Sequence, residues 1–354
     1  MEMGKIKVGI IGCGNISNHH MIGYNNIPDE VEVAACCDIN LERAKAYAEK
    51  YGIKEYYGSY DEMLEKADID AVSVTVWNNI HKGATIAALK AGKHVLCEKP
   101  MALNEEEAKE MLAVAKEHPN QILMLGFVRR FGKNAQVMKD LINAGKFGEI
   151  YHVDTKYVRR VGNPGGWFAD SKRSGGGPLI DLSVHMIDLG WYLMGKPNPS
   201  AIYGVTFDKI GARNNIKEFP RYRPEDYSDF NDVEDHCIAT LKFDNGAVMT
   251  VEVSYSQHIK GDVVSLDVKG TKAGARVMPD MEIYSEECDY LTDTKIVYRE
   301  DDIMVNGFQR EIKHFIDCIN GKATLINTPE DGVAMMKMLC GIYESAKTGH
   351  EVIL

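Results

Sequence analysis

Residues 5–17 read Lys-Ile-Lys-Val-Gly-Ile-Ile-Gly-Cys-Gly-Asn-Ile-Ser. The run 5–11 is apolar and β-branched, bounded by glycine, and long enough for a buried strand. Gly12, Gly14 and Ser17 then fit the G-x-G-x-x-G/A pattern, with serine at the third small position. Each residue has a physical task. Gly12 permits a tight turn, Gly14 has no Cβ to hold a pyrophosphate off the backbone, and Ser17 lets the next helix pack on the strand. That helix directs its first N–H groups, around Asn15 and Ile16, at the anion.

A second apolar strand, 31–37, ends at Asp38, about 20 residues past the glycines, where a ribose-binding acid belongs. The Asp38 carboxylate can accept hydrogen bonds from both adenosine ribose hydroxyls and repels a 2′-phosphate. The following Ile-Asn-Leu-Glu brings no immediate cation to reverse that preference, although Arg43 lies a turn further on. The expected cofactor is NAD rather than NADP.

The remaining chain fits a two-domain protein. Its 354 residues suffice for two cores, and 45% apolar with 26% charged residues is ordinary for a soluble globular chain. A formal net charge of −11 without a basic tract argues against nucleic acid and against an anionic membrane surface. No apolar run reaches membrane-spanning length, and with the first strand beginning so early no signal peptide is expected. The eight cysteines (13, 36, 37, 97, 237, 288, 318 and 340) form no C-x-x-C pair. They read as reduced thiols in a cytoplasmic protein with no structural zinc.

Strands and helices alternate up to residue 127, which predicts a doubly wound parallel sheet with helices on both faces. Ligands of such sheets lie beyond the carboxyl ends of the strands. Three ends matter here: 12–14, 76–81 and 98–100. Beyond residue 130, successive alternating segments (149–158, 201–207, 237–243, 247–256 and 263–268) predict a largely antiparallel sheet, with a hairpin at Asp244-Asn245-Gly246. Helices are expected over 308–319 and from Thr328 to about Gly349, and a long polar loop over 208–235. The expected domains are 1–127 and 128–354.

Two stretches carry ionisable groups at promising places. Glu98-Lys99-Pro100 follows a strand at the cofactor edge, where Lys99 can hold a substrate oxygen or a ribose and Pro100 fixes the turn through a bond that can adopt the cis form. The alternative for Glu98 and Lys99 is a solvated surface turn. In GGGPLIDLSVHMID, 175–188, proline suits a first helical turn, and Asp181, His185 and Asp188 fall at i, i+4 and i+7 on one face. Leu182, Met186, Leu189 and Leu193 form an adjacent apolar stripe. The alternative is a satisfied core histidine between solvated acids. Asp181 and His185 also have metal-pair spacing, but no further ligands stand at supporting spacing, so no metal is expected.

Together GCGNIS with Asp38, EKPMA (98–102), GFVRRF (126–131), GGWF (165–168) and GGGPLIDLSVHMIDL resemble the glucose–fructose oxidoreductase/inositol dehydrogenase/rhizopine-catabolism (Gfo/Idh/MocA) family. Looser echoes are VEDHCIATLKFDNGA, GTKAGA and ESAKTGHEVIL, so the resemblance spans essentially the whole chain. It implies a Rossmann domain plus an α/β domain with an open, mostly antiparallel sheet, and NAD(P)-dependent oxidation of a secondary alcohol on a sugar, cyclitol or glycoside. It implies His185 as general base, Lys99 on the reacting oxygen, and Asp181 orienting the pair or the substrate. It also implies Asp188 on further hydroxyls, Arg129 and Trp167 as pocket walls, and Asn78, His81, Glu98 and Lys99 at the cofactor. Where the family usually reads Thr-Pro-Asn-x-x-His, this chain has Val76-Trp77-Asn78-Asn79-Ile80-His81. Trp77 is therefore expected to pack under its loop, with stacking on the nicotinamide as the alternative. The resemblance and the uncovered sheet face lead to an expected homo-oligomer, a dimer or tetramer. Rival readings are an enzyme that keeps its cofactor and cycles it between two sugars or through a glycosidase reaction, and a dinucleotide-sensing regulator.

Overall fold

The computed structural model describes residues 4–211, 213, 215–217, 222–299 and 302–354. In chain order its elements begin with β1 (Ile6–Ile11), α1 (Asn15–Asn25), β2 (Val31–Cys37), α2 (Leu41–Tyr51), β3 (Glu55–Tyr57) and α3 (Tyr60–Lys66). They continue through β4 (Ala71–Val74), α4 (Asn78–Lys90), β5 (His94–Glu98), α5 (Glu105–Glu117), β6 (Leu123–Gly126), α6 (Lys133–Asn143), β7 (Ile150–Val158), α7 (Ser171–Ser174) and α8 (Val184–Leu193). The rest are β8 (Pro199–Phe207), β9 (His236–Phe243), β10 (Val248–Ser254), β11 (Val263–Gly270), β12 (Gly274–Met278), β13 (Glu282–Glu287), β14 (Tyr290–Lys295), α9 (Phe308–Ile319), α10 (Pro329–Thr348) and β15 (Val352–Ile353). By their contacts, the described residues divide into two compact units: 4–131 with 302–333, and 132–299 with 334–354.

The first unit holds a six-stranded parallel sheet in the order β3-β2-β1-β4-β5-β6. Val8, Ile10, Val72, Val74, Val95 and Leu96 are fully buried, as strands covered on both faces require. Local chemistry sets the helix starts: Asn40, Ser59 and Asn104 each accept a first-turn N–H at α2, α3 and α5. α9 packs closely on α1, where a Cβ on Gly23 would lie 2.4 Å from Ile312 Cγ1. Arg130, 2% exposed, ties this end of the unit together. Its Nη1 donates to the Ile326 carbonyl at 2.7 Å and pairs with Asp331 at 2.6 Å.

The second unit holds a nine-stranded sheet, β14-β13-β12-β11-β7-β10-β9-β8-β15, whose one parallel pair among the described residues is β7–β10. In β9 the alternation is strict: Cys237, Ala239, Leu241 and Phe243 are buried, and Ile238, Thr240 and Lys242 face outward. The buried face receives α8, with a Cβ on Gly190 only 3.0 Å from Val153 and Met249 side chains. The other face is mixed rather than apolar. It carries a Lys156–Glu252 pair at 3.5 Å beside Ile238 (47% exposed) and Tyr203 (49%). Of the expected loop 208–235, residues 212, 214 and 218–221 lie outside the described residues.

Candidate active site

In the first unit the carboxyl ends of β1, β2, β4 and β5 share one edge because the strands are parallel. Gly12 has φ +95°, and a Cβ there would lie 2.8 Å from the Thr75 carbonyl oxygen. The turn is held by Gly12 N–H on the Cys37 carbonyl (2.8 Å) and by the Thr75 hydroxyl on the Gly12 carbonyl (2.7 Å). At Gly14 a Cβ would meet nothing within 4 Å, so the backbone faces open space. Gly14 also caps α1 without a side-chain bond, which leaves the N–H groups around Asn15 and Ile16 uncovered by any cap. Ser17 is fully buried and donates to the Gly14 carbonyl at 2.7 Å. Asp38 Oδ2 accepts from Cys13 N–H at 3.0 Å and Oδ1 from Asn40 N–H at 2.9 Å. Arg43 Nη1 stands 3.5 Å from Asp38 Oδ2. An open glycine, an uncapped helix start and a carboxylate with remaining lone pairs together suit a dinucleotide.

The next two strand ends are braced from inside. Glu98, 5% exposed, accepts from His20 Nε2 at 2.9 Å and from Lys99 N–H at 3.2 Å. His20 Nδ1 meets Ser73 Oγ at 3.0 Å, and Ser73 meets the Tyr24 hydroxyl at 2.7 Å, so a buried polar chain runs behind Lys99. Burial alone would raise the Glu98 carboxyl, but the His20 bond and charge, aided by Lys99, hold it below the usual carboxylate value. The solvated-turn alternative therefore fails for Glu98. Lys99 is half-buried, and the Lys99–Pro100 peptide is cis. His81, 1% exposed, sits with Nδ1 2.7 Å from the Pro100 carbonyl oxygen and Nε2 3.1 Å from that of Val76. Its ring thus links the two strand-end loops, and desolvation pushes its pKa down. Asn78 is buried at the first turn of α4, and Arg129 is half-buried in a 3₁₀ turn, Val128–Phe131. Trp77, expected to pack under its loop, is 37% exposed.

In the second unit the helix of Asp181 and His185 differs from the regular α-helix predicted. Residues Leu179–Ser183 form a π-helical turn, and α8 begins only at Val184. The wider turn changes the angular register of Asp181 relative to α8. Asp181 and His185 remain half-buried, while Asp188 is only 1% exposed. The Tyr255 hydroxyl, on a fully buried side chain, donates to Asp181 Oδ2 at 3.0 Å. Burial and the Asp181 charge hold Tyr255 well above the usual phenol pKa, so it stays a donor. Arg159 reaches the Tyr157 hydroxyl at 3.2 Å and the Gly162 carbonyl at 3.3 Å. The glycines before the turn admit Tyr343 and Glu234: a Cβ on Gly176 would lie 2.0 Å from the Tyr343 hydroxyl, and one on Gly177 would lie 2.3 Å from the Glu234 carbonyl oxygen. Trp167 is half-buried in a 3₁₀ turn, its ring centroid 3.9 Å from that of Phe168.

Tyr255 and Glu234 were not singled out from sequence. Glu234 lies within the VEDH run, which carries a glutamate just before an alternating strand and offers no spacing that ties it to residue 177. Among the described residues, no three His, Cys, Asp or Glu side chains cluster so as to hold a metal ion, and no helix is long and apolar enough to cross a membrane.

Comparison with known proteins matches residues 6–127 to the model of an oxidoreductase family with an NAD-binding Rossmann fold, and residues 139–354 to that family's C-terminal α/β domain. The chain is 34% identical to D-glucoside 3-dehydrogenase of Escherichia coli (strain K12) over 358 residues, covering 100% of this chain and 99% of that one. A solved structure of aldose-aldose oxidoreductase from Caulobacter crescentus, complexed with glycerol, superposes at TM-score 0.81 with 25% identity, covering 99% of this chain and 100% of that one. Levoglucosan dehydrogenase in complex with NADH and levoglucosan shares the fold at TM-score 0.85 and 23% identity, covering 99% of each chain. With both halves matched and a full-length relative at 34% identity, the glycine cradle and the Asp181–His185 turn belong to a nicotinamide-dependent oxidoreductase of the Gfo/Idh/MocA family.

Proposed function

We propose that this protein uses NAD to oxidise a secondary ring hydroxyl of a sugar, cyclitol or glycoside to the ketone, with C3 of a glucoside as the leading candidate. The end-to-end 34% identity with a D-glucoside 3-dehydrogenase carries this reading. The bound nicotinamide supplies the hydride acceptor. Gly12, Gly14, Asn15 and Ile16 cradle its pyrophosphate through backbone groups, and Asp38 takes the ribose hydroxyls and disfavours NADP. Asn78, His81 and Glu98 shape the adjoining loops, the last two through their bonds to backbone beside Lys99.

His185 takes the proton of the reacting hydroxyl, a task suited to an imidazole side chain. The Lys99 ammonium stabilises the alkoxide that develops on the same oxygen. Asp181, which accepts from the Tyr255 hydroxyl, orients the imidazole or the substrate. Arg129, Trp167 and Asp188 contribute pocket wall and hydroxyl contacts. The assay is a panel of glucosides, inositols and levoglucosan with NAD, read by the absorbance of reduced nicotinamide. Turnover of a glucoside supports the reading, and inertness of every polyol counts against it.

A second reading is a closed cycle that passes hydride between two sugars, favoured by the likeness to the aldose-aldose oxidoreductase. It predicts product without free NADH. A homo-oligomer through the outer face of the second sheet also belongs to this proposal, with the charged residues there making the contact polar; a monomeric mass by light scattering contradicts it. A cytoplasmic location is likewise part of this proposal, in keeping with eight cysteines that are all free thiols.

A further inference from the structure

The carboxylate of Glu234 accepts from three donors. Oε2 takes Gly177 N–H at 2.9 Å, while Oε1 takes Leu179 N–H at 3.0 Å and the Tyr343 hydroxyl at 2.9 Å. The carbonyl of Gly177 in turn accepts from Ile180 N–H at 3.1 Å and Asp181 N–H at 3.0 Å. Glu234 is thus linked to the Asp181 backbone through one residue and two hydrogen bonds. It stands at the mouth of the π turn Leu179–Ser183, whose next residues lead to His185. The contacts at Gly176 and Gly177 leave no room for side chains, so two of the three consecutive glycines are accounted for by Tyr343 and Glu234. Burial pushes the Glu234 carboxyl up, and the two amides with the Tyr343 phenol counter that rise. The following residue works in the same way on the other side: Asp235 Oδ2 accepts from Lys209 and Gly211 N–H groups at 2.8 and 2.9 Å, anchoring the start of the 208–235 loop.

We propose that Glu234 is a positioning residue for the oxidation: its carboxylate sets the π turn that presents Asp181 and, one turn later, His185. The proposal rests on the acid–base reading of His185 given above. Its physical content is that a carboxylate can serve three donors, whereas an amide cannot. In Glu234→Gln the NH₂ group must face at least one backbone N–H, so the turn shifts although side-chain size is kept.

Misplacement of a catalytic group by about 1 Å costs about 10²-fold in rate, so Glu234→Gln is expected to lower kcat by about that factor. The Kd for NAD should stay within about twofold, because the residues assigned to NAD lie in the other unit. In a His185→Ala background Glu234→Gln should add little, since it acts through a group already removed. The pH profile of kcat/KM should also shift its acidic limb. A cleft of about 410 Å³ is lined by Gly175, Gly176, Glu234 and Tyr343 among others. Formate should therefore partly restore kcat of Glu234→Ala, and Tyr343→Phe, which removes one donor, should show a smaller loss than Glu234→Gln.

The proposal is overturned if Glu234→Gln turns over normally while His185→Ala is impaired. It is also overturned if Glu234→Gln loses the same factor with and without His185 and formate restores nothing, which marks a role in stability alone. Normal turnover by His185→Ala removes the acid–base reading itself and the proposal with it.

Discussion

Replacing Asp38 with asparagine removes its charge and nearly preserves its shape. In the native chain two of the carboxylate's acceptor positions are taken by Cys13 and Asn40 N–H groups, which leaves acceptors for the ribose hydroxyls. A 2′-phosphate adds about 1.5–2 negative charges. At about 4 Å from a carboxylate, in a partly buried site with an effective dielectric constant of about 20, each charge costs about 4 kcal/mol. Arg43, 3.5 Å from Asp38 and with its side chain 32% exposed, returns part of that cost. With Arg43 offsetting about half of the resulting ~6–8 kcal/mol, the net penalty against NADP is about 3–4 kcal/mol, or about 150-fold to a thousandfold in Kd. Calorimetric titration with NADH and NADPH measures the ratio directly. Asp38→Asn should bring it below about tenfold, because the carboxylate charge is gone. Adding Ile39→Arg, at a side chain that is 93% exposed, should favour NADPH outright. Equal affinity of the native protein for both cofactors, or an unchanged ratio in Asp38→Asn, refutes the reasoning.

Gly14→Ala should melt at the native temperature but bind NAD more weakly, because its Cβ meets no protein atom within 4 Å and projects only into the proposed pyrophosphate space. Gly12→Ala should lose both, since φ +95° and the contact with Thr75 add about 1–3 kcal/mol of strain; equal behaviour of the two variants contradicts the cradle. His185→Ala and Lys99→Ala should each lower kcat by about 10²–10⁴-fold, with less than multiplicative loss in the double variant, and steady-state kinetics checks both. Acidification should lower Tm. His94 Nδ1 and His314 Nε2 accept from Ile122 and Ile326 N–H groups at 3.0 and 3.3 Å, and burial holds both rings, like His81, below the ordinary value of 6.5. The unfolded chain therefore takes up protons first: their contribution is full above about pH 6.5 and falls below it by up to about 1.4 kcal/mol per pH unit for each ring. A Tm equal at pH 7.5 and 5.5, about one unit either side of 6.5, contradicts this.

The parallel sheet was legible because most of its strands are short apolar runs followed by glycine or an acid, and because helices such as α3 and α5 begin with the side-chain caps Ser59 and Asn104. β13 and β14 escaped notice because Glu282–Glu287 and Tyr290–Lys295 carry few apolar residues and pair with each other at the edge of the sheet, and β12 because Gly274–Met278 is only five residues long and opens on a glycine. The Asp181–His185 segment was legible as an ionisable seam, but its π turn was not. That turn coincides with hydrogen bonds from a residue more than fifty positions away, and local periodicity carries no trace of them. The same holds for Glu98 and His81, which sit at the expected strand ends yet spend their polar atoms on His20, on Lys99 N–H and on backbone carbonyls. A strand-end position shows in sequence. The partner of a buried polar side chain depends on the packing of other elements.

Isotope transfer tests the central claim most directly. A methyl glucoside carrying deuterium at C3 is incubated with the enzyme and NAD, and the reduced cofactor and the sugar are analysed by mass spectrometry. The account predicts one deuterium in the reduced nicotinamide and a 3-keto sugar without label, with the transfer nearly abolished in His185→Ala. Label retained in an unreacted sugar, or reduced nicotinamide that carries no deuterium, would contradict it.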